Sequence, residues 1–446
     1  MGIYKDCDIR GVYGQDLNES TAYKIGRAVG SLMHGKRVVV GGDVRQSTPS
    51  LKENLMEGLM ASGASLVDIG MVPTPVFYFA RDFLKADGGI MVTASHNPAI
   101  FNGFKIALGS MPITKEDIEQ IKTLADSNGF VIGFGEKEAV DVYQDYKDHI
   151  RKLLGHKGAL KVVIDAGNGA VSKLAPELFR SFGYAVNELF CHFDGRFPNR
   201  EPNPAQYNNL IRLQQVVIEN DADIGIGFDG DGDRVVFIDH KGQIVTSEES
   251  FIIFIRDYLK NEPSTVVYDI KSSSIIEKEV RKYRSQPIME RSGHAFIKKS
   301  FLDQHAALAG EVSGHFFFKE LGCDDGIYAA LKMCEILTKS KKNLVEITEG
   351  IEKTIMTPDI RIPYPWEKQR DLLVKVESLK YKYPISTLDG IRVQFPYGWA
   401  LIRQSVTEPC VTIRFEADHE ENMLSIKKEF LACVPELYGL HEMLKY

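Results

Sequence analysis

The chain has 446 residues, 44% of them hydrophobic and 26% charged, and at roughly 100–200 residues per domain it should fold into two to four packed domains rather than a disordered tail. With 54 Lys and Arg against 61 Asp and Glu, the formal net charge of -7 argues against bulk nucleic-acid binding but leaves room for a local basic pocket. The six cysteines form no C-x-x-C pair, which disfavours a zinc knuckle or redox pair and fits a reducing, cytoplasmic compartment.

At the N-terminus, MGIYKDCDIRG has no apolar leader segment and no Ser or Thr at position 6 for myristoylation. The longest aliphatic runs, such as FIIFI at 251–255, fall far short of the roughly 20 residues that span a bilayer. Neither a membrane nor a nucleic acid is an expected partner, and a monomer or small homo-oligomer is.

In chain order, apolar strand-like runs alternate with segments of helical period, as in VVV at 38–40 followed by LKENLMEGLMASG. This is the α/β pattern. Strands ending in Asp recur as VVVGGD to Asp43, VVID to Asp165 and VVYD to Asp269. Each is followed by a second strand-like segment that opens into a polar loop: ADGGIMVTASHNP, ADIGIGFDGDGDR and HAALAGEVSGH. Three related units are expected, each offering one loop at the carboxyl end of a strand, where open sheets gather ligand groups. A joint follows, where Pro358, Pro363 and Pro365 interrupt TPDIRIPYPW and predict a linker or irregular edge strand. Beyond it, GIRVQFP, WALIRQS and CVTIRFEA with the helix HEENMLSIKKEFLACV predict an α+β domain. The expected division is 1–142, 143–243, 244–356 and 357–446.

Four loops can carry chemistry. In Thr93-Ala94-Ser95-His96-Asn97-Pro98 a strand stops at a polar turn, which exposes Ser95 as a nucleophile or phosphoryl carrier. An ordinary Ser/Asn/Pro turn reads the same way. The flanks, Thr93 and Asn97, do not make the G-x-S-x-G elbow of a serine hydrolase, which disfavours acyl chemistry. In Asp229-Gly230-Asp231-Gly232-Asp233-Arg234 three carboxylates crowd between two apolar strands, and a hard divalent cation is the usual relief for such repulsion. A calcium loop of the EF-hand type is excluded, because Arg234 and His240 stand where Gly and Glu are required. Magnesium with a phosphate oxygen fits better, and a solvated acidic turn is the plain alternative.

Glu311 and Ser313 on a glycine-flanked loop pair an acceptor with a donor-acceptor, which suits neighbouring sugar hydroxyls. Arg403, Ser405 and Thr407 offer fork-like and hydroxyl donors for a phosphate that does not react. Arg10 in DIRG, Lys105 in NGFK and Lys271 in DIKSS are further cations.

Taken in this order, TASHNP, DGDGDR, GE-x-SGH and R-x-S-x-T-x-P resemble the α-D-phosphohexomutase family, in particular its bacterial phosphomannomutase/phosphoglucomutase branch. DAGNGA, VPTP and GHAFIKK are similar to family segments as well. The resemblance implies three related α/β domains with mixed sheets and a C-terminal α+β domain of TATA-binding-protein-like topology around a central cleft. It implies a phosphoserine at Ser95, Mg²⁺ held by Ser95, Asp229, Asp231 and Asp233, and Arg234 beside the metal. Glu311 and Ser313 would read sugar hydroxyls, and Arg403, Ser405 and Thr407 would hold the second phosphate. Arg10, Lys105, Lys271, His294 and His315 would face the cleft for proton transfer or phosphate contact.

The implied reaction converts hexose 1-phosphate to hexose 6-phosphate through a sugar 1,6-bisphosphate, which also serves as activator. Glucose and mannose are the implied sugars. A phosphoglucosamine mutase and a non-catalytic sugar-phosphate sensor on the same fold are the alternatives. Val312 offers no side-chain hydrogen bond where the glucosamine branch carries Gln. Two departures stand out: Cys7, where relatives often place Tyr, and Val406, where they place Asn or Gly.

Overall fold

The computed structural model describes residues 2–155, 157–404 and 409–437. Four sheets succeed one another along the chain. The first has six strands in the order Ile9–Val12, Phe101–Ala107, Gly88–Val92, Arg37–Gly42, Ser65–Met71 and Lys137–Ala139. The second runs Ile244–Val245, Val235–Asp239, Ile224–Phe228, Lys161–Asp165 and Ala185–Leu189. The third runs Gln286–Glu290, Thr265–Asp269, Leu308–Gly310, Phe316–Phe318 and Cys323–Asp324.

One arrangement recurs in all three. The strand that precedes or ends in Asp43, Asp165 or Asp269 pairs in parallel with the strand that opens the polar loop: Gly88–Val92, Ile224–Phe228 or Leu308–Gly310. After the loop the chain returns antiparallel, as Phe101–Ala107, Val235–Asp239 or Phe316–Phe318. The expected repeat is therefore present, and its loops leave equivalent carboxyl ends. The three loop-opening strands are buried at every residue, which is why they read as unbroken apolar runs rather than alternating ones. Some helices start at capping boxes, as at Thr114 with Asp117 and Thr246 with Glu249.

One apolar cluster runs through the first three units and includes Val39 and Phe77, Val162 and Ile226, and Phe254 and Phe316, while the other faces of their sheets carry separate clusters around Ile90, Val236 and Val267. The fourth unit has its own, built from residues such as Ile362, Val393, Ile413 and Phe430. Its sheet is antiparallel, with Cys410–Ala417, Gly398–Gln404 and Ile391–Phe395 at the centre. The proline-rich joint is an edge strand, Ile360–Pro363, paired with Cys410–Ala417. Proline is tolerated there because an edge leaves one side of the ladder unpaired.

Docking of the fourth unit onto the third combines a small apolar cluster of Ile270, Trp399 and Leu401 with buried polar contacts. Buried Glu416 accepts from Ser273 Oγ at 2.5 Å, Ser274 N at 2.9 Å and Trp399 Nε1, and Arg392 Nη1 donates to Ile270 O at 2.5 Å.

Candidate active site

The loop after Gly88–Val92 turns sharply at Ser95, whose φ of 49° lies in the left-handed region that non-glycine residues avoid. Local bonds hold it there. Ser95 N donates to Thr93 Oγ1 at 2.8 Å, and Thr93 Oγ1 donates to Asp43 Oδ2 at 2.8 Å. The turn aims Ser95 Oγ across the unit boundary to Asp229 Oδ2, 2.7 Å away. Only 2% of Ser95 is exposed.

The acidic loop of the second unit is buried completely at Asp229, Asp231 and Asp233. Its glycines allow the close fit. A Cβ on Gly230 would lie 2.5 Å from the Ser95 carbonyl oxygen, and Gly232, at φ +81°, would collide with Val171. Thr74 of the VPTP segment donates its hydroxyl to Asp231 Oδ2 at 2.7 Å and its amide to Asp231 O at 2.8 Å. Burial, with Asp231 and Asp233 alongside, raises the Asp229 carboxyl well above the usual range. Burial would raise Asp233 too, but Lys105, His315 and Arg234 outweigh it and hold that carboxyl well below.

Lys105 Nζ bridges Asp231, at 2.8 Å, and Asp233. Although burial would lower it, these two carboxylates hold the ammonium well above its ordinary pKa. His315 joins the second and third units, with Nε2 3.2 Å from Asp233 Oδ1 and Nδ1 2.7 Å from Glu311 Oε2. Burial opposes its charge, yet Asp233 and the hydrogen bonds to Asp233 and Glu311 push it up to about 10. Ser313 Oγ donates to Glu311 Oε2 at 2.9 Å. His294 Nε2 contacts Asp324 Oδ1 at 2.8 Å. Next to Ser95, His96 is lowered well below its ordinary value by burial and then by Arg234 and Arg10.

A cavity of about 370 Å³ is lined by Arg10, Ser95, His96, Lys105, Arg234, His294 and His315. Arg10 is held there by Asn97 and Asp8. Glu311 and Ser313 connect to it through His315. Lys271 and Arg403 are not in its lining. Lys271 Nζ is 3.0 Å from Asp359, and Arg403 Nη2 is 2.6 Å from Asp389, which also accepts from Ser292 N at 3.1 Å. Ser405, Thr407 and Val406 lie outside the described residues. Cys7 lines the cavity wall as a thiol pushed up to about 11 by burial and by Asp6 and Asp8.

Sequence reasoning named Asp43 and Asp165 only as strand ends and Thr74 only within VPTP, and it missed Arg45, Arg200 and Asp324 beneath these loops. The three recurring Asp-ended strands were a signal for the two carboxylates. Nothing in the local pattern singled out the arginines that reach them.

The acidic loop fits a divalent cation. One oxygen from each of Asp229, Asp231 and Asp233 lies within 4.8 Å of the others, and Asp231 Oδ1 is buried without a hydrogen-bond donor. A hard carboxylate oxygen left free in this way is what such an ion would satisfy.

Matches to known families cover nearly the whole chain. The alpha/beta/alpha domains I, II and III of phosphoglucomutase/phosphomannomutase match residues 2–131, 144–242 and 246–354, and the C-terminal domain of the same family matches 359–432. The phosphomannomutase/phosphoglucomutase of Pseudomonas aeruginosa is 38% identical over 436 residues, covering 96% of this chain and 94% of its own. The phosphoglucomutase of Neisseria gonorrhoeae is 37% identical, with 97% and 96% covered. The crystal structure of a phosphoglucomutase/phosphomannomutase family protein from Burkholderia thailandensis superposes with a TM-score of 0.91 at 36% identity, over 97% of this chain and 96% of that one. With four successive domain matches and a cleft built from the loops of three related units, the chain belongs to the phosphoglucomutase/phosphomannomutase family of α-D-phosphohexomutases.

Proposed function

We propose that the protein interconverts hexose 1-phosphates and hexose 6-phosphates of glucose and mannose, with Ser95 carrying the phosphoryl group and Asp229, Asp231 and Asp233 holding Mg²⁺. The observation that carries this reading is the 2.7 Å hydrogen bond from Ser95 Oγ to Asp229, which joins the proposed carrier to the acidic loop of another unit. Bound Mg²⁺ would supply positive charge where the phosphoryl oxygens gain negative charge.

The chain's own groups bind, orient and neutralise. Lys105 and His315 are held protonated beside the carboxylates, and with Arg234 they can donate to phosphoryl oxygens. In the forward step the bond from Ser95 Oγ to phosphorus breaks as a free sugar hydroxyl bonds to that phosphorus. The hydroxyl loses its proton to a neighbouring base, and the sugar becomes a 1,6-bisphosphate. After the intermediate turns round, its other phosphoryl group returns to Ser95. Arg10 and His294 line the path of the reacting end.

Glu311 and Ser313 suit the 3- and 4-hydroxyls, which glucose and mannose share. Arg403, with Ser405 and Thr407, would hold the phosphate at rest, and Lys271 would meet the substrate as the fourth unit moves about the joint near 357–365. A cytoplasmic location accords with these soluble substrates.

Ser95→Ala should remain folded and lose roughly 1000-fold or more in turnover of glucose 1-phosphate and mannose 1-phosphate with Mg²⁺ and catalytic 1,6-bisphosphate. Intact mass should show one phosphate on the wild type, mapping to Ser95, and none on the variant. Undiminished turnover by Ser95→Ala removes the carrier, and faster turnover of glucosamine phosphate than of either hexose phosphate overturns the substrate assignment.

A further inference from the structure

Arg45 follows the first Asp-ended strand and is 1% exposed, although it carries a full positive charge. All five of its guanidinium hydrogens have acceptors. Nε donates to Asp43 Oδ2 at 3.0 Å; Nη1 donates to Pro98 O at 2.7 Å and Phe101 O at 2.9 Å; Nη2 donates to Ser95 O at 2.8 Å and Asn97 O at 2.6 Å. Four of the five acceptors are backbone carbonyls: three in the loop that bears the proposed phosphoserine and one on Phe101, which opens the next strand. From the second unit, Phe197 covers the guanidinium, with its ring centre 5.1 Å away.

We propose that Arg45 is a positioning residue for phosphoryl transfer, gathering the carbonyls of residues 95–101 onto one planar cation so that Ser95 is held left-handed with Oγ aimed at Asp229. The inference rests on Ser95 being the carrier. A loop whose carbonyls converge inward is unstable unless a donor of matching number and shape fills the centre. Guanidinium has five donors in a fixed plane, whereas lysine has three on a flexible stem, so lysine keeps the charge but not the pattern. Asp43 makes the device reciprocal: it neutralises Arg45 through Oδ2 and accepts the Thr93 hydroxyl on the same oxygen, and Thr93 in turn fixes Ser95 N. Carbonyl and amide of Ser95 are thereby both tied to one ion pair, and its side chain is left facing the second unit. Strain at a left-handed serine persists only where its surroundings over-determine it.

The test compares wild type, Arg45→Lys and Arg45→Met by steady-state kinetics and by amide hydrogen exchange. Arg45→Met should lose about 100-fold in kcat with KM within about threefold, because misplacing a reacting atom by an ångström has that size of effect. Arg45→Lys should fall between it and the wild type. Exchange should quicken at residues 93–101 and stay unchanged at Lys161–Asp165. Wild-type kcat in either folded variant overturns the proposal, and so does a loss of protection spread evenly over the first sheet, which would mark an ordinary stabilising residue. If Arg45→Met does not fold, Arg45→Lys carries both readouts. Absence of phosphate on wild-type Ser95 would instead overturn the functional reading, and the exchange pattern would still judge what Arg45 holds in place.

Discussion

The three related units fix their loops by different means. In the first two, the Asp at the end of the central strand pairs with a buried arginine that also grips the functional loop. Arg45 does so for the Ser95 loop. Arg200 pairs with Asp165 at 2.8 Å and donates to Phe228 O at 2.7 Å, immediately before Asp229. In the third unit the equivalent Asp269 has no arginine partner among the described residues. It accepts from Lys271 N at 2.9 Å and Ser292 Oγ at 2.5 Å, and its carboxyl is raised by burial. The loop it supports is tied by Glu311, Ser313 and His315, all of which can exchange partners. On the proposed roles, the loops assigned to phosphorus and metal are each gripped by a buried arginine–aspartate pair, whereas the loop assigned to the sugar is tied within itself by Glu311, Ser313 and His315.

The sharpest way to break this contrast is Arg200→Met. It leaves Asp165 buried and unpaired, with the two side chains 3% and 0% exposed, and should cost about 3–5 kcal/mol in denaturant unfolding. A cost below about 1 kcal/mol would mean the pair supports nothing.

The third unit should instead respond to pH through Asp325, which caps the helix Gly326–Ser340 and accepts from Tyr146 Oη at 2.7 Å. Burial pushes its carboxyl up to about 7 against the hydrogen bonds from Tyr328 N and Tyr146. The folded state therefore keeps a proton that the unfolded state has released above its ordinary 3.8. Stability should decline by about 1 kcal/mol per unit as pH rises from about 4 to about 7, and level off above. Thermal unfolding of Asp325→Asn should lack this component of the slope; an unchanged slope assigns it elsewhere.

The smallest effect is expected for Ser313→Ala, which removes replaceable contacts to Glu311 and His315. It should lower kcat/KM for glucose 1-phosphate by about tenfold. A loss of about 1000-fold would place this loop among the rigid ones.

Much of this was legible in the sequence, for reasons that differ by residue. The strand-ending Asp43, Asp165 and Asp269 were legible because VVVGGD, VVID and VVYD recur, each followed by a strand-like segment that opens into a polar loop, although such an ending is also a common way to close a buried strand. Three aspartates alternating with two glycines announced a crowded carboxylate site. Arg45 and Arg200 were not legible: one follows Asp43 by two residues in DVRQST, the other lies 35 residues from Asp165, and only their burial and partners distinguish them from surface arginines. The pairing of Lys271 with Asp359 was equally hidden, because it depends on how the fourth unit docks, and that of Arg403 with Asp389 because it depends on the strand order inside the fourth unit.

The hydrogen bond from Ser95 to Asp229 spans 134 residues of chain. Neither unit alone can assemble that pair, so turnover reports completed long-range assembly rather than local order. During refolding from denaturant, helical circular dichroism should return ahead of mutase activity, since distant contacts form slowly. Catalysis then becomes a clock for the last docking event.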